Sequence, residues 1–159
     1  MSAPRSDAVV IFGVSGDLAY RKILPALHAL ARRGELAVPV IGVARSTWTD
    51  ETLRARARES LAATGEAGPD AAAGLCALLQ YVSGDYEDPG TYERLRAALG
   101  GARHPVHYLA IPPALFETVV ARLAEAGLAS PARVVAEKPF GRDLASARKL
   151  DLVLRSAFA

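Results

Sequence analysis

The sequence holds a single cysteine, a single methionine and a single tryptophan, and aromatic residues make up only 6% of its 159 positions. The lone Cys76 excludes an intramolecular disulfide and a cysteine-based metal cluster, and it fits a reducing compartment. It lies in the apolar run 75–79, where a small buried hydrophobe is a simpler reading than a nucleophile. No apolar stretch reaches the ~20 residues needed to span a membrane as a helix. Residues 1–7 lack the apolar core of a secretory signal, so the expectation is a cytoplasmic protein with no membrane partner. An excess of one charge sign is also missing: 19 Lys and Arg stand against 17 Asp and Glu, for a net charge of +2. The basic residues are scattered, with small groups at Arg21 and Lys22, at Arg32 and Arg33, and at Arg54, Arg56 and Arg58. That balance argues against a nucleic-acid partner. Glu51, Arg54 and Arg58 read as the wet face of a helix.

What is present is an alternation of two patterns. Hydrophobic residues make up 51% of the chain and charged residues 23%, the balance of one globular domain. Short apolar runs at 8–13 (AVVIFG), 38–44 (VPVIGVA), 81–83, 106–111 (VHYLAI) and 133–136 suit strands covered on both faces. Between them, helical spacing places Leu18, Ile23, Leu24, Leu27 and Leu30 on one side of 17–33. Thr49 reads as the N-cap of a helix over 50–63, with Thr52 three residues on. Further helices are expected at 91–99, 113–126 and 143–158, and a Gly- and Ala-rich loop at 65–74. Strands alternating with helices imply right-handed crossovers and an α/β fold, a Rossmann-like doubly wound parallel sheet with helices on both faces. Such sheets bind ligands beyond the carboxyl ends of their strands.

Two strand ends carry the candidate chemistry. Gly13-Val14-Ser15-Gly16-Asp17-Leu18-Ala19 follows the first strand and opens the first helix. Backbone N–H groups at close range and a helix N-terminus suit a phosphate. The spacing is G-x-x-G-x-x-A, with Ile11 at the first glycine place of the usual dinucleotide pattern, and a tight turn without ligand is the competing reading. Asp17 reads equally as a helix cap. At the second strand end, 38–49 holds no acidic residue to accept the ribose hydroxyls of NAD. Arg45 offers a planar fork for the 2′-phosphate of NADP, and Ser46 adds a hydroxyl.

These residues, with three further segments, resemble one family. GVSGDLAYRKILPAL (13–27), GVARS (42–46), YVSGDYED (81–88), YLAIPP (108–113) and EKPFGRDL (137–144) are similar, in order and spacing, to the N-terminal motifs of glucose-6-phosphate dehydrogenases. The resemblance implies that Gly13, Ser15, Gly16, Asp17 and Leu18 form a pyrophosphate turn and that Arg45 and Ser46 meet the 2′-phosphate of NADP. It further implies Lys22 near a coenzyme phosphate, and Ala110, Ile111 and Pro112 along the nicotinamide side of the cleft. Lys138 would touch both the coenzyme and glucose 6-phosphate, with Pro139 turning it into the cleft. The implied activity is NADP-dependent oxidation of glucose 6-phosphate to its lactone, in the oxidative pentose phosphate pathway.

The family's Arg-Ile-Asp-His-Tyr-Leu-Gly-Lys-Glu motif, with its catalytic histidine, does not occur in these 159 residues. His28, His104 and His107 match none of the catalytic positions. The expectation is therefore a coenzyme domain over 1–159 without the substrate and catalytic domain, turning over little by itself. A second-half chain or a homo-oligomer would be its partner. Two other readings stand beside it: a non-catalytic NADP-binding pseudoenzyme, and an NADP oxidoreductase or epimerase acting on another sugar. Departures from the family pattern are Val14 for a small Ala, Tyr20 for a basic residue, and Asp85 where Gln is common.

Overall fold

In a computed structural model, residues 6–65, 72–129 and 132–136 are described. Five strands form one parallel sheet: β1 (Ala8–Phe12), β2 (Val40–Ala44), β3 (Leu79–Ser83), β4 (Pro105–Leu109) and β5 (Arg133–Ala136). Their spatial order is β3-β2-β1-β4-β5. The chain steps from β1 outward to β2 and β3, then returns to place β4 on the other side of β1. Strand order therefore reverses between β1 and β4, which fixes where a ligand crevice opens.

The helices are α1 (Leu24–Arg32), α2 (Asp50–Ala63), the single turn α3 (Ala73–Cys76), α4 (Pro89–Leu99) and α5 (Phe116–Glu125). Successive strand residues point to opposite faces, so an all-apolar strand feeds two cores. Val10, Phe12, Ile41 and Val43 pack with Tyr92, Leu95 and Leu99 of α4 and with Phe116, Val119 and Leu123 of α5. Ile11, Val40 and Ala44 pack with Leu24 and Leu27 of α1, Leu53, Ala57 and Leu61 of α2, and Leu75 of α3. The doubly wound sheet expected from the sequence is the one observed. Cys76 is buried as expected, and burial raises its thiol pKa.

Local chemistry explains the helix boundaries. Thr49 caps α2 by accepting from the Thr52 backbone N–H at 3.2 Å, with the Thr52 hydroxyl returning to the Thr49 backbone. Asp88 caps α4 through the Gly90 N–H at 3.0 Å, two residues earlier than the helix read from the sequence. Arg54 is more than a wet-face residue. Its guanidinium pairs with Glu51 at 3.3 Å and also donates to the carbonyls of Cys76 (3.2 Å) and Leu79 (3.3 Å), tying α2 to the start of β3.

The first helix carries a π-helical turn at Ala19–Ile23, where the Leu24 N–H reaches the Ala19 carbonyl. In that pattern the Tyr20 carbonyl would take its bond from residue 25, and Pro25 has no N–H to give. The buried Ser60 hydroxyl of α2 donates to the Tyr20 carbonyl instead. The Tyr20 ring lies under the Arg56 guanidinium, 4.0 Å from its centroid. This tyrosine thus serves the packing of the first helix on α2. Ser60→Ala is expected to leave the Tyr20 carbonyl without its protein donor and to lower stability by about 1–3 kcal/mol. A urea midpoint equal to wild type would show that this bond contributes nothing.

Candidate functional site

At the end of β1 the chain turns on Gly13, whose φ is +86°. The Gly13 N–H donates to the Val43 carbonyl at 2.8 Å, the Gly16 N–H to the Gly13 carbonyl at 3.0 Å, and the Tyr20 N–H to the Gly16 carbonyl at 3.2 Å. Beyond β4, the Ala110 N–H donates to the Phe12 carbonyl at 2.9 Å, which draws the 110–112 segment against the turn. The approach is close. A Cβ on Gly13 would lie 2.1 Å from the Ala110 carbonyl oxygen and 2.9 Å from Ile111 Cγ2. Two groups of candidate residues, 98 positions apart from Gly13's neighbour Phe12 to Ala110, therefore meet at the switch point between β1 and β4.

The helix that follows the turn begins beside this crevice, and the first N–H groups of any helix lack intrahelical partners. The helix opens at Asp17, and its first intrahelical bond runs from the Tyr20 N–H to the Gly16 carbonyl. Asp17 pairs with Arg21 one turn on at 3.1 Å, with both side chains well exposed, so the pair itself adds little. Val14 does not point outward. It is fully buried, and a Cβ on Gly42 would meet its Cγ1 at 2.6 Å, so glycine at 42 makes room for valine at 14. Lys22 is exposed and borders a cavity of about 290 Å³ with Val9, Ile11, Ile23, Leu27 and Tyr108. The glycine turn does not line that cavity.

Arg45 and Ser46 follow β2 directly, and β3 holds them from the next strand. The Ser46 carbonyl accepts from the Tyr81 hydroxyl at 2.6 Å and from the Ser83 hydroxyl at 2.9 Å. Tyr81 also donates to the Ala44 carbonyl at 3.1 Å, and burial pushes its phenol up to about 12. Arg45 extends into solvent and meets Asp85 at 3.8 Å. Beneath the turn, the buried Tyr86 hydroxyl reaches the Val43 carbonyl at 3.4 Å, and Tyr92 donates to the Tyr86 carbonyl at 2.8 Å. Sequence reading missed Tyr81, Ser83 and Asp85 as builders of this corner. Their segment, YVSGDYED, carried the only signal that they belonged to it.

Comparison with known proteins gives this geometry its family. A family model described as "Glucose-6-phosphate dehydrogenase, NAD binding domain" matches residues 10–159. The chain belongs to that family. Glucose-6-phosphate 1-dehydrogenase 1 of Mycobacterium bovis is 42% identical over 151 residues, covering 95% of this chain and 32% of that protein. The chain thus spans about a third of the length of such curated relatives. A crystal structure of glucose-6-phosphate 1-dehydrogenase from Mycobacterium avium superposes with a TM-score of 0.89 at 48% identity, over 96% of this chain and 34% of that one. A glucose-6-phosphate dehydrogenase solved in complex with glucose 6-phosphate superposes at 0.83 and 31% identity, over 99% and 36% of the two chains.

Within this glucose-6-phosphate dehydrogenase domain, none of the three histidines lies at the crevice. His28 is buried on α1. His104 precedes β4 at the amino ends of the strands, away from the crevice, its N–H bound to Asp7 at 2.8 Å. His107 is buried inside β4, and its Nε2 lies 2.9 Å from the Leu128 carbonyl. Lys138 and Pro139 lie outside the described residues, as does the helix expected at 143–158. No described helix is long and apolar enough to cross a membrane.

Proposed function

We propose that this chain is the coenzyme-binding part of an NADP-dependent glucose-6-phosphate dehydrogenase and that a further domain or chain supplies the sugar chemistry. The observation that carries the reading is the cradle at the switch point. Gly13 admits no side chain there, and Ala110 and Ile111 close on it from the end of β4, with Pro112 next in the chain. Backbone amides at a helix start and a glycine turn suit a pyrophosphate, so the residues present fit a dinucleotide. Gly13, Ser15, Gly16, Asp17 and Leu18 would hold the pyrophosphate. Arg45 would pair with the 2′-phosphate, and Ser46 would add a hydroxyl. Bound NADP⁺ supplies a hydride acceptor.

Oxidising a sugar hydroxyl also requires a base within hydrogen-bond reach of its proton. None of the described histidines offers one, and a copy of this chain would bring the same three, which favours a second-half domain or chain as the completing partner. Lys138 is proposed as the contact to glucose 6-phosphate, and a cytoplasmic location is proposed with it, a reducing compartment that the single cysteine fits. A non-catalytic NADP-binding role is the second reading, and the same placement of the histidines favours it.

Calorimetric titration tests the coenzyme assignment. NADP⁺ is expected to bind more tightly than NAD⁺. Arg45→Ala should weaken NADP⁺ by about 10- to 100-fold, the loss of a charge-assisted hydrogen-bonded contact, and leave NAD⁺ nearly unchanged. A folded chain that binds neither nucleotide would remove the proposal.

A further inference from the structure

Asp85 sits beside Arg45, the residue proposed to meet the coenzyme's 2′-phosphate, and its setting is built. One carboxylate oxygen accepts from the Glu87 N–H at 2.9 Å, while the other faces the Arg45 guanidinium at 3.8 Å. The Asp85 carbonyl is held by the Thr91 hydroxyl at 2.7 Å and the Asp88 N–H at 3.1 Å. Arg94 braces the preceding residues through the Ser83 carbonyl at 3.1 Å. Across the corner, Tyr81 and Ser83 fix Ser46 beside Arg45. β2 and β3 are neighbours, paired Ala44 to Ser83, so the ends of both strands open on the same edge.

The consequence is a cation and an anion of this chain sharing one subsite. A 2′-phosphate that pairs with Arg45 must displace Asp85 or lie close to it, and two negative charges at that distance repel. A ribose with free hydroxyls presents donors instead, and a carboxylate is the natural acceptor for them. On the proposed coenzyme reading, we infer that Asp85 is a specificity-determining residue that lowers affinity for the 2′-phosphorylated nucleotide and raises it for the unphosphorylated one. The corner is then a two-coenzyme site in which Arg45 and Asp85 pull in opposite directions. The segment 38–49 lacks an acidic residue, and the loop that follows β3 supplies the missing acceptor.

Asp85→Asn is the test, because an asparagine oxygen still accepts from the Glu87 N–H and keeps the loop. NADP⁺ and NAD⁺ are titrated into the wild-type and variant chains at one low ionic strength, with folding checked by circular dichroism. The variant is expected to bind NADP⁺ about three- to tenfold more tightly and NAD⁺ about two- to fivefold more weakly, the scale of an exposed charge contact. Both changes should shrink as salt is raised. If both nucleotides bind and their affinity ratio is the same in the two proteins, this inference falls while the coenzyme reading stands. If neither binds the folded wild-type chain, the coenzyme reading fails and takes this inference with it.

Discussion

Gly13→Ala is expected to destabilise the fold by roughly 3–5 kcal/mol and to abolish nucleotide binding. Two costs add. The residue sits at φ +86°, a left-handed conformation that charges an L side chain about 1–2 kcal/mol. Its Cβ would also stand 2.1 Å from the Ala110 carbonyl oxygen, and that atom is backbone. Ala110 can retreat only by giving up the 2.9 Å bond from its N–H to Phe12, which seals β4 to β1 at the crevice. Gly13 can retreat only by giving up its 2.8 Å bond to Val43. Gly16→Ala is the control. Its added Cβ would meet nothing closer than the Gly13 carbonyl at 3.2 Å, and a loss of about 1 kcal/mol or less is expected. Urea unfolding of both variants measures the difference. Equal midpoints would mean that the turn relaxes freely and that the cradle is not rigid.

The second large effect lies in acid. His107 is fully buried in β4, with its ring 5.9 Å from Phe12, and burial pushes its imidazole down from 6.5 to about 4. Only the neutral ring suits this place, its Nε2–H donating to the Leu128 carbonyl at 2.9 Å. In the unfolded chain the imidazole takes up a proton near pH 6.5, while in the folded chain it does so only near pH 4. Between those values the unfolded state binds more protons, so stability falls as pH falls. The contribution is complete above pH 6.5 and is lost by about pH 4, amounting to roughly 3 kcal/mol at 1.36 kcal/mol per unit. His107→Gln keeps an amide donor for Leu128 and removes the titration. Its unfolding free energy should decline less steeply than wild type between pH 6.5 and 4, whatever its starting stability. Parallel slopes would show that His107 is not the group responsible.

Much of this was readable in the chain because the physics is local. A glycine after a β-branched run and before a helical pattern marks a βα turn, and Gly13 is one. Thr49 with Thr52 three residues on marks a capped helix, and α2 begins there. Runs with no polar alternation mark strands buried on both sides, and β2 is buried at every position. Other features depended on which strands lie side by side. Val14 stood out only as a departure from a small Ala, and in the fold it fills the space that Gly42 leaves. Tyr20 stood out only as a departure from a basic residue, and in the fold its ring packs under Arg56. That Lys22 shares a cavity with Tyr108 of β4 is likewise a fact of the fold.

By itself, then, the sequence determined the order of the five strands and of the four longer helices between them, the glycine turn, the arginine after the second strand and the family, since each rests on residues within a few positions of one another. The tertiary structure alone decided that Gly13 meets Ala110 and that Arg45 faces Asp85. Both contacts join segments far apart in the chain. They exist because β1 pairs with β4 and β2 with β3, which brings successive strand ends to one edge of the sheet.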